Sequence, residues 1–138
     1  MAEDQNLILA DTSVWASYFN GETLPEVAYL DAVLAREQED IGVLPIIITE
    51  VLQGFRSESS FDQTCRLLRR LPLLEPSLDS YIRAARLYRH LRSKGVTVRG
   101  AVDCLIAQVC IETGCRLLTL DRDFLLIARH TSLRIVRP

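Results

Sequence analysis

Apolar residues along the chain alternate between short unbroken runs and longer stretches with helical spacing. The run Leu-Ile-Leu-Ala at 7–10 stops at Asp11, and Asp11, Thr12 and Ser13 then offer capping groups for a helix running to Phe19. Pro25 opens a second helix over 25–38, with Val27, Leu30, Val33 and Leu34 at helical spacing. A second short strand is predicted at 41–44. Pro45 opens a helix through "PIIITEVLQGF", against the strand propensity of its three isoleucines. Residues 60–71 suit a helix, and "LLE" at 73–75, between two prolines, suits a third strand. The stripe Leu78, Tyr81, Ala85, Tyr88 and Leu91 predicts an amphipathic helix that ends at Gly95. A helix over about 100–113 closes at Gly114. Strand "RLLTL", a helix from Asp123 to Arg129 and strand "RIV" complete the chain. Strands alternating with helices predict an α/β fold in which a parallel sheet is covered on both faces, a single domain over 1–138.

That architecture gathers the acids. Open parallel sheets bind ligands outside the carboxyl ends of their strands. Asp11 follows the first strand, Asp121 and Asp123 follow the strand at 116–120, and Asp103 falls in the first turn of its helix. Glu50 lies one to two turns into the helix after the second strand. Alone, most have a structural explanation: Asp11 and Asp121 or Asp123 as helix caps, Glu50 as a surface residue. Asp103 is harder to dismiss, because nine of the eleven residues from Ala101 to Ile111 are apolar. A helix dipole returns about 0.3–1 kcal/mol to a first-turn acid, little beside the cost of burying it unpaired. Arg99 could pair with it. Several carboxylates at one edge would raise one another's pKa unless a divalent cation holds them ionised, and all-oxygen donors point to Mg²⁺ or Mn²⁺.

Charge and composition narrow the partners. Net charge is −2, but residues 1–40 carry nine acids against one base, and residues 41–138 nine acids against fifteen bases. Such a surface could repel nucleic acid on one side and receive it on the other. Arg83, Arg86, Arg89, Arg92, Lys94 and Arg99 form the densest basic stretch, and Arg99 is the best single candidate for a phosphate contact. The others also suit a solvated helix face. Trp15, Tyr18 and Phe19 could stack bases, or belong to the core or an interface. Cys65, Cys104, Cys110 and Cys115 lack zinc-type spacing and read as small core residues. No run is long enough to span a bilayer, and the acidic start "MAEDQN" is unlike a signal peptide, so a cytoplasmic location is expected.

Taken together, "LILADTSVW", "ITEVLQG" and "VRGAVDCLIAQVCIETGCRLLTLDRDF" resemble a PIN domain, most of all the VapC-type ribonuclease toxins of toxin–antitoxin pairs. The likeness runs through nearly the whole chain in order and spacing. It implies a three-layer α/β/α domain with about five parallel strands and an acidic magnesium site. By position, Asp11, Glu50, Asp103 and Asp121 match the family's acidic quartet, and Asp123 an additional acid two residues on. Thr119 matches a position whose hydroxyl commonly supports the site, and with Arg99 it is the candidate for contact with substrate.

The implied reaction is hydrolysis of an RNA phosphodiester, leaving 5′-phosphate and 3′-hydroxyl ends. Asp11 and Asp103 would be the primary Mg²⁺ ligands, with Asp121 and Asp123 completing that site or a second one, and Glu50 would bind metal or orient the attacking water. The resemblance further implies a homodimer restrained by a cognate VapB-type antitoxin. A phosphotransfer site built on Asp11 fits poorly, since position 13 is Ser and the only lysine, Lys94, ends a helix. A catalytically silent PIN fold that binds metal or RNA is the alternative, and DNA is a second possible substrate.

Overall fold

The computed structural model describes residues 7–36 and 40–138; the acidic start at 1–6 and the end of the helix expected over 25–38 lie outside them. Four strands, β1 (Ile8–Ala10), β2 (Ile41–Gly42), β3 (Arg116–Leu118) and β4 (Arg134–Ile135), form one parallel sheet in the order β2-β1-β3-β4. Every residue of β1 is buried, which for alternating side chains means that both faces of the sheet are covered. Among the described residues, seven helices supply the cover: α1 (Thr12–Phe19), α2 (Pro25–Leu34), α3 (Pro45–Leu52), α4 (Glu58–Arg69), α5 (Leu78–Ser93), α6 (Ala101–Thr113) and α7 (Arg122–Arg129). They pack as two sets, α1 with α2 and α3, and α6 with α5 and α7. The fold is the expected three-layer α/β/α arrangement.

Local chemistry explains most boundaries. Asp11 caps α1, Pro25 and Pro45 open α2 and α3, and Ser77 and Ser80 close a capping box on α5. Gly114 ends α6 in the left-handed region at φ 75°, a conformation that Gly adopts at no steric cost. The isoleucine triplet is helical because it can bury Ile47 and Val51 on one side of α3. Packing overrides propensity there.

Three expectations differ from what is found. The "LLE" segment makes one bridge, Val43 to Leu73, so the sheet among the described residues has four strands and a single rung of a fifth. Val43 donates to the Pro72 carbonyl at 2.9 Å and Leu74 donates to Val43 at 2.8 Å. Pro72 and Pro76 have no N–H to extend the ladder. Leu74 instead packs over Gly42, where a Cβ would come within 3.1 Å of its Cδ1.

The buried stripe of α5 is also shifted. It comprises Ser80, Ala84, Leu87 and Leu91, while Leu78 and Tyr81 are 76% and 54% exposed. Small Ser80 and Ala84 let α5 lie close against α6, and Ser80 donates to Glu112 at 2.8 Å, so its burial leaves no unpaired hydroxyl. Of the stripe read as core, only Leu91 is buried; Leu78, Tyr81, Ala85 and Tyr88 stand on a second face. Three of the four cysteines, Cys104, Cys110 and Cys115, are buried as expected, whereas Cys65 is half-buried beside Arg69.

Candidate active site

Parallel pairing of Ala10 with Leu118 brings the ends of β1 and β3 side by side, and the Asp11 amide donates to the Leu118 carbonyl at 3.1 Å. Asp11 and Thr119 therefore leave the sheet as neighbours. The Asp11 carboxylate is 4% exposed and is held by three donors. Ser13 Oγ donates to Oδ1 at 2.5 Å, Val14 N–H to the same oxygen at 3.3 Å, and Thr119 Oγ1 to Oδ2 at 2.6 Å. Both hydroxyls also accept, Ser13 from the Leu120 amide at 3.0 Å and Thr119 from the Asp121 amide at 2.9 Å. Burial raises the Asp11 pKa, and the hydrogen bonds from Ser13, Thr119 and Val14 oppose the rise. Asp11 joins the ends of two strands and the start of a helix.

Next to it stand Asp103, Asp121 and Asp123, each half-buried, with one carboxylate oxygen from each within 4.8 Å of the others. Asp103 comes from the first turn of α6; Asp121 caps α7 through the Asp123 amide at 2.9 Å; Asp123 lies in the first turn of α7. The Asp103 carboxyl is pushed up to about 6, first by burial, then by the charges of Asp121, Asp123 and Asp11, with Arg99 opposing. Arg99 is 83% exposed, and its Nε lies 3.9 Å from Asp123 Oδ2. Its closest partner is thus Asp123 rather than Asp103, and it stands at the rim of the cluster.

Glu50 is not one of the trio; its Oε1 accepts from Thr12 Oγ1 at 2.6 Å, which ties α3 to the first residue of α1. Thr119, 9% exposed, donates to the Asp11 carboxylate and accepts from the Asp121 backbone amide, so its hydroxyl ties Asp11 to the start of α7. The chain pattern had not singled out Thr12 or Ser13 as more than helix-opening residues. The three-residue "DTS" at the end of a strand carried the signal.

The donor set fits a divalent cation. Three half-buried carboxylates with oxygens within 4.8 Å of one another repel, and a hard divalent cation relieves that repulsion. The neighbouring thiol of Cys104 has its pKa pushed up to about 11 by burial and the Asp103 charge, so it stays protonated and the donors remain all oxygen.

The PIN domain family model matches residues 8–130 of the chain. VapC ribonuclease Mb1587 of Mycobacterium bovis and ribonuclease VapC11 of Mycobacterium tuberculosis are each 35% identical over 130 residues, spanning 93% of this chain and 96% of their own. Among solved structures, VapBC2 from Rickettsia felis, bound to a DNA fragment from its promoter, matches with a TM-score of 0.73 and 19% identity, over 94% of this chain and 97% of that one. VapC20 of Mycobacterium tuberculosis, a sarcin-ricin loop cleaving toxin, matches with a TM-score of 0.65 and 15% identity, over 95% and 99%.

Proposed function

The chain belongs to the PIN domain family, and from that premise we propose that it is a Mg²⁺-dependent endoribonuclease, with Mn²⁺ able to substitute, acting as the toxin of a VapBC-type pair. The observation that carries this reading is the convergence of Asp103, Asp121 and Asp123 beside the fixed Asp11 carboxylate at one sheet edge. A bound Mg²⁺ would acidify a water and offset charge on the phosphate. Asp103, Asp121 and Asp123 would hold it, with Asp11, fixed in place by its three donors, at their side. Glu50, steadied by Thr12, orients the attacking water and accepts its proton. Arg99, exposed at the rim, meets the incoming phosphate, which the acidic cluster alone would repel. Attack by water leaves a 5′-phosphate and a 3′-hydroxyl.

Purified protein incubated with RNA and single-stranded DNA pools in Mg²⁺, Mn²⁺ or EDTA tests the reading. Cleavage of RNA that needs the cation and yields 5′-phosphate ends is expected. Cutting that persists in EDTA, or silence toward every RNA, overturns it, and the latter favours a fold that only binds.

Partners belong to the same proposal: a second copy of the chain and a VapB-type antitoxin, in a soluble cytoplasmic complex. No helix among the described residues is long and apolar enough to cross a membrane. The unburied face of α5 supports the dimer. Tyr81, Ala85 and Tyr88 with Val102 and Leu105 of α6 line a groove of about 650 Å³, and exposed Leu78 and Ile82 extend the apolar strip. Introducing charge with Tyr81→Glu and Ile82→Glu, both already exposed, is expected to yield a folded monomer in light scattering. A dimer that survives the pair removes α5 from the interface.

A further inference from the structure

Beyond the acidic cluster, helices α1 and α3 enclose a second space. Their Thr12 to Glu50 hydrogen bond closes its inner end. Outward from that bond runs a cleft of about 200 Å³, between Ala16, Phe19 and Asn20 on one side and Glu50, Gly54 and Phe55 on the other. We propose that this cleft is a nucleobase subsite, which seats one base of the RNA next to the scissile phosphate and sets where the strand is cut. The proposal rests on the ribonuclease reading above and deepens it.

Four features select a base. Its size, below that of a drug-sized pocket, suits one planar ring and excludes a helix or strand of a protein partner. Its outer walls are aromatic: Phe19 and Phe55 meet edge to face with centroids 5.4 Å apart and planes at 73°. Phe19 is braced from behind by stacking on Trp15 at 5.8 Å and by the edge of Tyr18 at 5.1 Å, so it forms a rigid platform. Finally, the polar groups are neutral or acidic, and among the described residues no Lys or Arg lines the cleft, so it would repel a phosphate and admit an uncharged ring.

Reading of that ring would fall to two groups. Glu50 gives only Oε1 to Thr12, and its second oxygen accepts no hydrogen bond from the described residues. A carboxylate oxygen accepts and never donates when ionised, so it prefers a base edge that presents N–H groups. Asn20 at the C-terminus of α1 is exposed, and among the described residues its amide makes no side-chain hydrogen bond, leaving both donor and acceptor for the remaining edge. Glu50 thereby links base recognition to the water it orients. A mismatched base would disturb both.

Phe55→Leu removes the ring face and keeps apolar volume, while Asn20→Ala removes the amide from a solvent-exposed position. Gly54→Leu fills the cleft; a Cβ there meets nothing nearer than the Val51 carbonyl oxygen at 3.5 Å. Each variant, and wild type, is given a randomised RNA library in Mg²⁺ and the cut sites are sequenced. Binding of short RNAs is followed in the uncleaving Asp103→Asn background through the emission of Trp15, the only tryptophan, which stacks on the Phe19 wall. Wild type should favour particular bases at one position beside the cut, and Phe55→Leu and Gly54→Leu should weaken binding by about tenfold to a hundredfold, the scale of one lost base stack. Asn20→Ala should broaden the preference. The rise in melting temperature on adding Mg²⁺ should be the same in all. Wild type that cuts RNA with no base preference, or variants with unchanged preference and affinity, overturn the subsite while leaving the ribonuclease intact. An inert wild type overturns the ribonuclease itself.

Discussion

Asp103→Asn should lower RNA cleavage by about 10²–10³-fold and at the same time make the metal-free protein more stable. The two effects share a cause. In the native protein the Asp103 carboxyl is pushed up to about 6 by burial and by Asp121, Asp123 and Asp11, against an ordinary value of 3.8. The folded state therefore binds this proton more tightly than the unfolded chain. Its contribution to stability is full below about pH 4 and is lost as pH rises through 6, leaving a penalty at neutral pH. Discounted for its half-exposed position, that penalty is about 1 kcal/mol. Asparagine cannot ionise and escapes it. Urea unfolding in EDTA at pH 5 and pH 8 should show the variant's advantage growing with pH. Adding Mg²⁺ should reverse the order, because only wild type gains the stabilisation of a bound ligand. A variant less stable than wild type at pH 8 in EDTA would sink the assignment of Asp103 as a charge tolerated for the sake of the cation.

For Asp11 the expected outcome is the reverse in stability and the same in activity. Asp11→Ala should abolish cleavage and lower stability by about 1–2 kcal/mol. The change removes the cap of α1, worth about 1 kcal/mol, and strips Ser13 and Thr119 of the acceptor that each hydroxyl donates to. Relief of a buried charge offsets part of the loss. Asp11→Asn keeps the cap and an acceptor oxygen, so it should be inactive yet close to wild type in urea. If alanine and asparagine unfold at the same denaturant concentration, the Ser13 and Thr119 bonds contribute nothing measurable. The two acids then differ in their effect on the empty site, Asp103 straining it and Asp11 building it.

Which of this the linear chain could reveal follows from the range of each interaction. Caps and prolines act within one turn, so α1, α2 and α3 could be read from Asp11, Pro25 and Pro45. The acids could be placed because strand ends are local too. The face that α5 buries was not legible, since Tyr81 and Tyr88 are as apolar as a core stripe demands, and only the close approach of α6 favours Ser80 and Ala84. Likewise the fifth strand shrank to one bridge under two prolines whose effect depends on the neighbouring Val43. Within the site, the hydroxyls of Thr12 and Ser13 have no spacing signature. Ser13 meets the Leu120 amide only after β1 and β3 pair in register. Arg99 shows the same limit: it is four positions from Asp103 in sequence, but its nearest carboxylate oxygen is on Asp123.

The central pairing of β1 with β3 has a consequence for the order of events in synthesis. Thr119 and Asp11 are 108 positions apart, and Asp103, Asp121 and Asp123 likewise lie far along the sequence from Asp11. A growing chain holds Asp11 and Glu50 early but has nothing opposite them until β3 and the start of α7 have been made. At ribosomal speeds of about 5–20 residues per second, that interval is on the order of ten seconds. During it the emerging polypeptide cannot assemble the acidic edge, whatever cations surround it. The proposed nuclease activity would therefore have to wait until Asp121 and Asp123 have been made, long after Asp11.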